Sequence, residues 1–291
     1  MKLIVKFNLV LLLVFAFGFV VAGYFSDRLL QRNAKQEIVE NARIMMEAAL
    51  AVRSYTASQI KPLLETQLKY SFLPQSVPAY SANQYFSQLR KTFPDYEYKE
   101  ATLNPTNPVN RATDWEADIV RHFRESPDQK ELVGERDTPN GKMLYMARPL
   151  KIADPRCLSC HSTPESAPAT LIARYGSANG FGWKLNDIIT AQIVSAPMQL
   201  PIQRAKVAFT GFMISLAAVF AVIFLALNAT LFLVVTRPVQ RLSEIADEVS
   251  LGNMDAPKLQ LSGNDEIAKL TQSFGRMRKS MAEALKMLET P

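Results

Sequence analysis

Two uninterrupted apolar runs constrain this chain more than any other feature. Phe7 to Phe25 and Val207 to Val235 contain no Asp, Glu, Lys or Arg, over 19 and 29 residues of the 291. The shorter run would span about 28 Å as a helix, close to the hydrocarbon thickness of a bilayer. A soluble cytosolic protein is therefore excluded. The first run has a competing reading as a cleavable signal peptide, because Lys2 and Lys6 form a basic start and Val20-Val21-Ala22 resembles a cleavage site. An uncleaved anchor is favoured by the length of the run and its continuation through Gly23-Tyr24-Phe25. The second run reads as a transmembrane helix, with Arg204 and Lys206 before it and Arg237 and Arg241 after it.

Charge settles neither orientation nor a polymeric partner. The net +6 divides as +2 before the first span, +4 between the spans and 0 after the second. No block is basic enough to imply nucleic acid. Arg28, Arg32 and Lys35 follow the first span as closely as Lys2 and Lys6 precede it, so the positive-inside comparison is balanced.

The two cysteines of the chain stand together in Cys157-Leu158-Ser159-Cys160-His161, beside one of its two histidines. Cys-x-x-Cys-His reads as a c-type haem attachment site. The thiols would add to the two haem vinyl groups as thioethers, and the adjacent imidazole of His161 would be the proximal iron ligand. A zinc site would need ligands beyond His122 and carboxylates, since there is no third cysteine. A redox-active or structural dithiol is the other alternative, although such a motif normally opens a helix in a βαβ setting. This one lies in a loop marked by Asp154-Pro155 and Thr163-Pro164. Covalent haem attachment takes place outside the bacterial cytoplasm. On that reading residues 26–206 are periplasmic, and residues 1–25 contain a cytoplasmic start with the first span. Residues 207–235 form the second span, 236–288 are cytoplasmic and 289–291 are a tail.

From Ser26 to about Gln67 the chain has no glycine and only Pro62 as an interruption. Ala34, Ile38, Met45, Ala49 and Val52 recur at helical spacing. This predicts a helix of about 60 Å continuing the first span outward, either packing on its own domain or serving as a dimer-forming stalk. Shorter elements follow: helices at Ala82–Lys91 and Asp114–Phe123, and strands at Tyr96–Leu103, Lys142–Arg148 and Ile188–Ser195. The expected fold class is α+β with one antiparallel sheet. Trp115, Phe123, Tyr145, Tyr175, Phe181 and Trp183 are candidate pocket walls, or equally ordinary core. The sixth iron position has several candidates in His122, Met45, Met46, Met143 and Met146, and vacancy is a further alternative. Each methionine also suits core filling.

After the second span, Val235, Pro238, Leu242, Ile245 and Val249 follow a three-four alternation. Ile267, Leu270, Phe274, Met277, Met281, Ala284 and Leu288 do the same. Between them lie Gly252, Pro257, Leu259, Leu261 and Gly263, and Asp265-Glu266 opens the second helix. The pattern from the membrane-proximal proline to the Asp-Glu pair resembles a HAMP domain. A plain coiled coil is the simpler alternative. The resemblance implies a parallel four-helix bundle built from two chains, hence a homodimer that relays movement of transmembrane helices.

The middle of the chain resembles bacterial periplasmic c-type-haem domains of PAS-like fold. The matching texture runs through Ala101-Thr102-Leu103-Asn104-Pro105-Thr106-Asn107-Pro108, Asp114-Trp115-Glu116, Tyr145-Met146-Ala147-Arg148-Pro149-Leu150 and Cys157 to His161. The resemblance implies that Cys157 and Cys160 carry haem and His161 ligates it. Relatives can use a cysteine of the N-terminal helical part as distal ligand, which this chain lacks.

The resulting expectation is a two-pass subunit of the bacterial inner membrane, in contact with lipid. One covalent haem c in its periplasmic domain senses redox state or a diatomic gas, and HAMP relays the signal to a cytoplasmic kinase or other output protein. The sequence stops three residues after Leu288, so the output is expected either on a missing segment or on a separate protein. A membrane-anchored cytochrome that passes electrons to periplasmic redox partners is the main alternative, and a haem-free receptor with a disulfide the second. No enzymatic constellation is expected, because there is no phosphate-binding glycine loop and no arguable Ser-His-Asp arrangement.

Overall fold

The computed structural model describes residues 3–257 and 263–289. Two compact units are formed. One is Asp27–Ala208, and the other combines the chain up to Ser26 with the chain from Phe209 onward.

In the first unit the outward continuation of the first span is realised. Helix α1 runs unbroken over Leu3–Tyr55, passes through a π-helical turn at Thr56–Ile60 and continues as α2, Lys61–Leu68. Pro62 is accommodated at the start of α2, where a missing N–H costs least. Helix α3 covers Pro78–Thr92, which extends the expected helix by a turn at its N-terminal end. Strand β1 is Glu97–Thr102, and α4 is Asp114–Glu125. The Glu116 carboxylate accepts the Thr113 N–H at 2.8 Å and thereby caps α4.

Strands β2 (Leu132–Thr138) and β3 (Gly141–Lys151) form a hairpin. Two short helices follow, α5 at Leu158–His161 and α6 at Ala169–Tyr175, before β4 at Ile188–Pro197. The sheet is antiparallel throughout, in the order β1-β4-β3-β2. Strand β2 was not expected from the sequence. It is an edge strand whose residues alternate between half-buried and exposed, and its Gly134 lies under the Tyr145 ring, so it lacks the apolar signature of an inner strand.

Both sheet faces are covered by helix, which explains why all but the last residue of central β4 are buried. On one face Ile38, Ala42, Met45, Met46 and Ala49 of α1 and Phe86 of α3 pack on Leu144, Met146, Val194 and Ala196. On the other, Ile119, Val120 and Phe123 of α4 pack on Ala101, Ala147, Ala191 and Ile193. Phe86 and Phe123 are each almost completely buried, and each contributes roughly 1.5–3 kcal/mol through burial. Ion pairs fasten α1 to the sheet margin: Glu131 accepts from Arg43 at 3.1 Å and from Arg148 at 2.9 Å, and Glu47 accepts from Arg148 at 2.6 Å.

In the second unit, α7 begins at Gln199 and runs to Thr230, a π-helical stretch covers Leu231–Thr236, and α8 covers Arg237–Ser250. Both apolar runs are thus helices long enough to cross a membrane. They pack against each other, with Phe15 stacked on Phe220 at 4.7 Å and Gly23 close to the Met213 side chain. Helix α8 is followed by Leu251 and then Gly252, whose φ of +95° suits the left-handed position after a helix. Helix α9 spans Glu266–Glu289 and opens on Asp265, whose carboxylate accepts the Ala268 N–H at 2.7 Å. Leu242, Val249, Ala256, Ala268 and Thr271 are buried where the two helices meet, and Arg278 donates to the Met254 carbonyl at 2.6 Å. Connector residues Leu259 and Leu261, and the side chain of Leu288, lie outside the described residues.

Candidate functional site

The motif sits on a compact helical step. Pro155–Cys157 is a 3-10 turn whose first N–H groups are capped by Asp154, which accepts the Arg156 N–H at 2.8 Å. Helix α5 follows and ends at His161. This places Cys157 at the end of the 3-10 turn and Cys160 and His161 together on the helical turn that follows, all of them half-buried. Burial, together with the neighbouring Asp154 carboxylate, pushes the Cys157 thiol above its ordinary range. A redox dithiol depends on the opposite shift.

His161 is held from several directions. Its Nδ1 lies 2.8 Å from the Gly180 carbonyl oxygen and 3.4 Å from Thr106 Oγ1. A carbonyl only accepts, so Nδ1 carries the proton and Nε2 retains its lone pair. The Trp183 indole stacks on the imidazole at 3.9 Å and 15°. Burial lowers the His161 pKa, with the Gly180 bond acting in the opposite direction. Nδ1 is thus the donating nitrogen and the ring is held in one orientation, the arrangement a metal-ligating histidine uses.

The loop carrying Gly180 and Trp183 is fastened on both sides. Gly182 N–H donates to Ser162 O at 2.9 Å and Trp183 N–H to His161 O at 3.2 Å. From the opposite side, Asn104 Oδ1 accepts the Gly180 N–H at 3.3 Å. Gly180 has φ +86°, and a Cβ there would come within 1.9 Å of Thr106 Oγ1 and 2.8 Å of Thr106 Cα. Glycine is needed at this position for both its conformation and its close approach.

Cys157 and His161 line a cavity of about 220 Å³. Its walls include Phe72, Val77, Leu150, Ile152, Leu171 and Ile189, with Tyr175 and Trp183 from the expected aromatic set. Trp115, Phe123, Tyr145 and Phe181 are not among its walls. Trp115 and Tyr145 instead meet edge to face at 5.5 Å, and Phe123 is core under α4. At the cavity floor Thr102 and Thr190 share a short hydroxyl–hydroxyl bond, beside Glu100 and Arg53. This mainly apolar chamber is bordered by Cys157 and a pre-oriented imidazole, while Cys160 is not among its walls.

The candidate distal ligands are placed elsewhere. Met45, Met46 and Met146 are core between α1 and the sheet, and Met143 is buried at the start of β3. His122 lies on α4, with Nε2 2.8 Å from Gln129 Oε1. None of the five lines the cavity shared by Cys157 and His161. Sequence reasoning did not assign a site role to Arg53, Glu100 or Gly180, since their partners lie 19 to 76 positions away. A glycine close to the motif was the one available hint.

Residues 31–197 match the Tll0287-like family model, and residues 231–283 match the HAMP domain model. No curated protein matches the chain. A solved structure, that of the cyanobacterial heme-protein Tll0287, is similar at 16% identity and a TM-score of 0.44, covering 55% of this chain and 95% of that one.

Proposed function

Given that the chain belongs to the Tll0287-like family and carries a HAMP domain, we propose that it is a transmembrane signalling subunit that holds one covalent c-type haem in the domain between its two spans. The observation that carries the reading is His161, adjacent to Cys160 in the attachment motif, with Nδ1 bonded to the Gly180 carbonyl and its ring beside the same apolar cavity as Cys157. In this reading Cys157 and Cys160 anchor the haem and His161 Nε2 is the proximal ligand. Haem supplies an iron whose oxidation state or sixth ligand can change. Gly180 holds the proton at Nδ1 and so keeps Nε2 available, while Trp183 fixes the plane of the ring. The apolar walls exclude water and give the iron a low-dielectric setting.

Haem attachment outside the cytoplasm would place Asp27–Ala208 in the periplasm and α8 and α9 in the cytoplasm. Leu270, Met277 and Met281 are about half exposed on α9 of a single chain. That leaves an apolar seam for a second copy, as a four-helix HAMP bundle requires. The reading is of a non-enzymatic relay: a redox change or a diatomic ligand at the iron biases two arrangements of the domain, and HAMP passes the bias to a cytoplasmic output partner.

The test is an absorption spectrum of the purified full chain, oxidised and reduced, with and without carbon monoxide, after maturation in a host competent for cytochrome c assembly. Haem that survives denaturation and is lost in C157S/C160S supports attachment. A carbon monoxide shift would favour gas sensing, and no shift would favour redox sensing or electron transfer. A colourless protein would overturn the reading. Full signalling after deletion of residues 236–288 would remove HAMP from the mechanism.

A further inference from the structure

Arg53 lies on α1 just before the π-helical turn and borders the same cavity as Cys157 and His161. Its side chain is 18% exposed and that of Glu100 is 4% exposed. Nη1 alone serves the pair, at 2.5 Å from both Glu100 oxygens. Glu100 also accepts from the Tyr98 hydroxyl at 2.8 Å, and that hydroxyl accepts from Gln192 Nε2 at 2.9 Å. The carboxylate is therefore held by α1 and by its own strand, with Gln192 of β4 bonded in turn to the Tyr98 hydroxyl.

The guanidinium is not. An arginine usually meets a carboxylate with two parallel N–H groups, whereas Nη2 and Nε of Arg53 make no hydrogen bond among the described residues. Neither nitrogen is sealed from solvent, so both remain available to an occupant of the cavity that Arg53 borders. Among the described residues, Arg53 and Glu100 are the side chains of the Asp, Glu, Lys and Arg classes that line the cavity, with Lys61 close enough to act on Cys157 and His161, so a ligand reaching those donors finds one lining cation already half-paired.

We propose that Arg53 is an anion-binding residue of this cavity, with Nη2 and Nε receiving a carboxylate-class anion while Nη1 stays on Glu100. Two sources supply that chemistry. One is a propionate of the haem, in which case the inference rests on the functional reading above, and the other is a small free carboxylate. Either anion would be fixed to α1, the helix that is continuous from Leu3.

The test uses the full chain in detergent, titrated with formate and followed by the haem absorption band, or by tryptophan fluorescence if no haem is attached. R53Q, R53K, E100Q and R53Q/E100Q are compared with the unaltered chain, the double variant avoiding an unpaired buried carboxylate. Saturable formate binding, weakened at least about tenfold in R53Q/E100Q relative to E100Q and partly kept in R53K, assigns a free anion. Alternatively, absence of formate binding, with a haem midpoint potential lower in R53Q/E100Q than in E100Q and a changed pH dependence, assigns a propionate. R53Q/E100Q that matches E100Q in formate affinity, potential and pH dependence overturns the inference. A chain without covalent haem removes the functional reading alone, and the formate titration then decides Arg53: no saturable binding overturns it.

Discussion

Replacing Gly180 by alanine tests whether the loop that orients His161 is as tightly specified as its geometry indicates. The residue sits at φ +86°, a region that costs an alanine about 1–2 kcal/mol. The new Cβ would fall 1.9 Å from Thr106 Oγ1, which a rotation of the threonine can relieve, and 2.8 Å from Thr106 Cα, which only a backbone shift can relieve. That shift lengthens the 2.8 Å contact between His161 Nδ1 and Gly180 O, a bond worth about 0.5–1.5 kcal/mol. Together these predict a loss of about 1.5–3.5 kcal/mol. The assay is equilibrium urea unfolding of the detergent-solubilised chain followed by tryptophan fluorescence, which includes Trp183 against His161. T106G/G180A should recover less than half of the loss, because the unfavourable φ and the Cα approach remain. A G180A chain within about 0.5 kcal/mol of the unaltered one would refute the reasoning, as would full recovery in the double variant.

Met46 is buried core, so Met46→Leu should cost under about 1.5 kcal/mol and leave any haem spectrum unchanged; a spectral change would return Met46 to the iron. Burial pushes the Glu131 carboxyl up, but the Arg148 and Arg43 hydrogen bonds and charges outweigh this and hold it below the ordinary range. A carboxyl lowered on folding contributes stability above its unfolded pKa and loses it as pH falls through the folded value. Glu131→Gln should therefore flatten the acid limb of a stability profile below about pH 5 and cost under about 1 kcal/mol at neutrality; an unchanged acid limb would contradict the assignment. Met277→Lys, on the exposed seam of α9, should weaken self-association measured by sedimentation without unfolding the chain, and an unaltered oligomeric state would exclude that seam from the interface.

Features written in short stretches of chain were legible without coordinates. The two spans follow from uninterrupted apolar composition, and α8 and α9 from a three-four alternation and an Asp-Glu start, because helix formation and its caps depend on neighbours within a few residues. Strands β1, β3 and β4 showed through for the same local reason, whereas edge strand β2 and short α6 did not. Spacing likewise marked Cys157, Cys160 and His161 as a unit. What surrounds that unit could be known only from tertiary structure. The partners of His161 come from residues 106, 180 and 183, and Arg53 meets Glu100 from another element altogether. Met45, Met46 and Met146 lie between α1 and one face of the sheet, whereas the cavity walls come from other segments together with Arg53 of α1. Local sequence carries the covalent chemistry a residue can perform, but which side chains share a cavity depends on contacts between distant segments, and no short-range pattern encodes those.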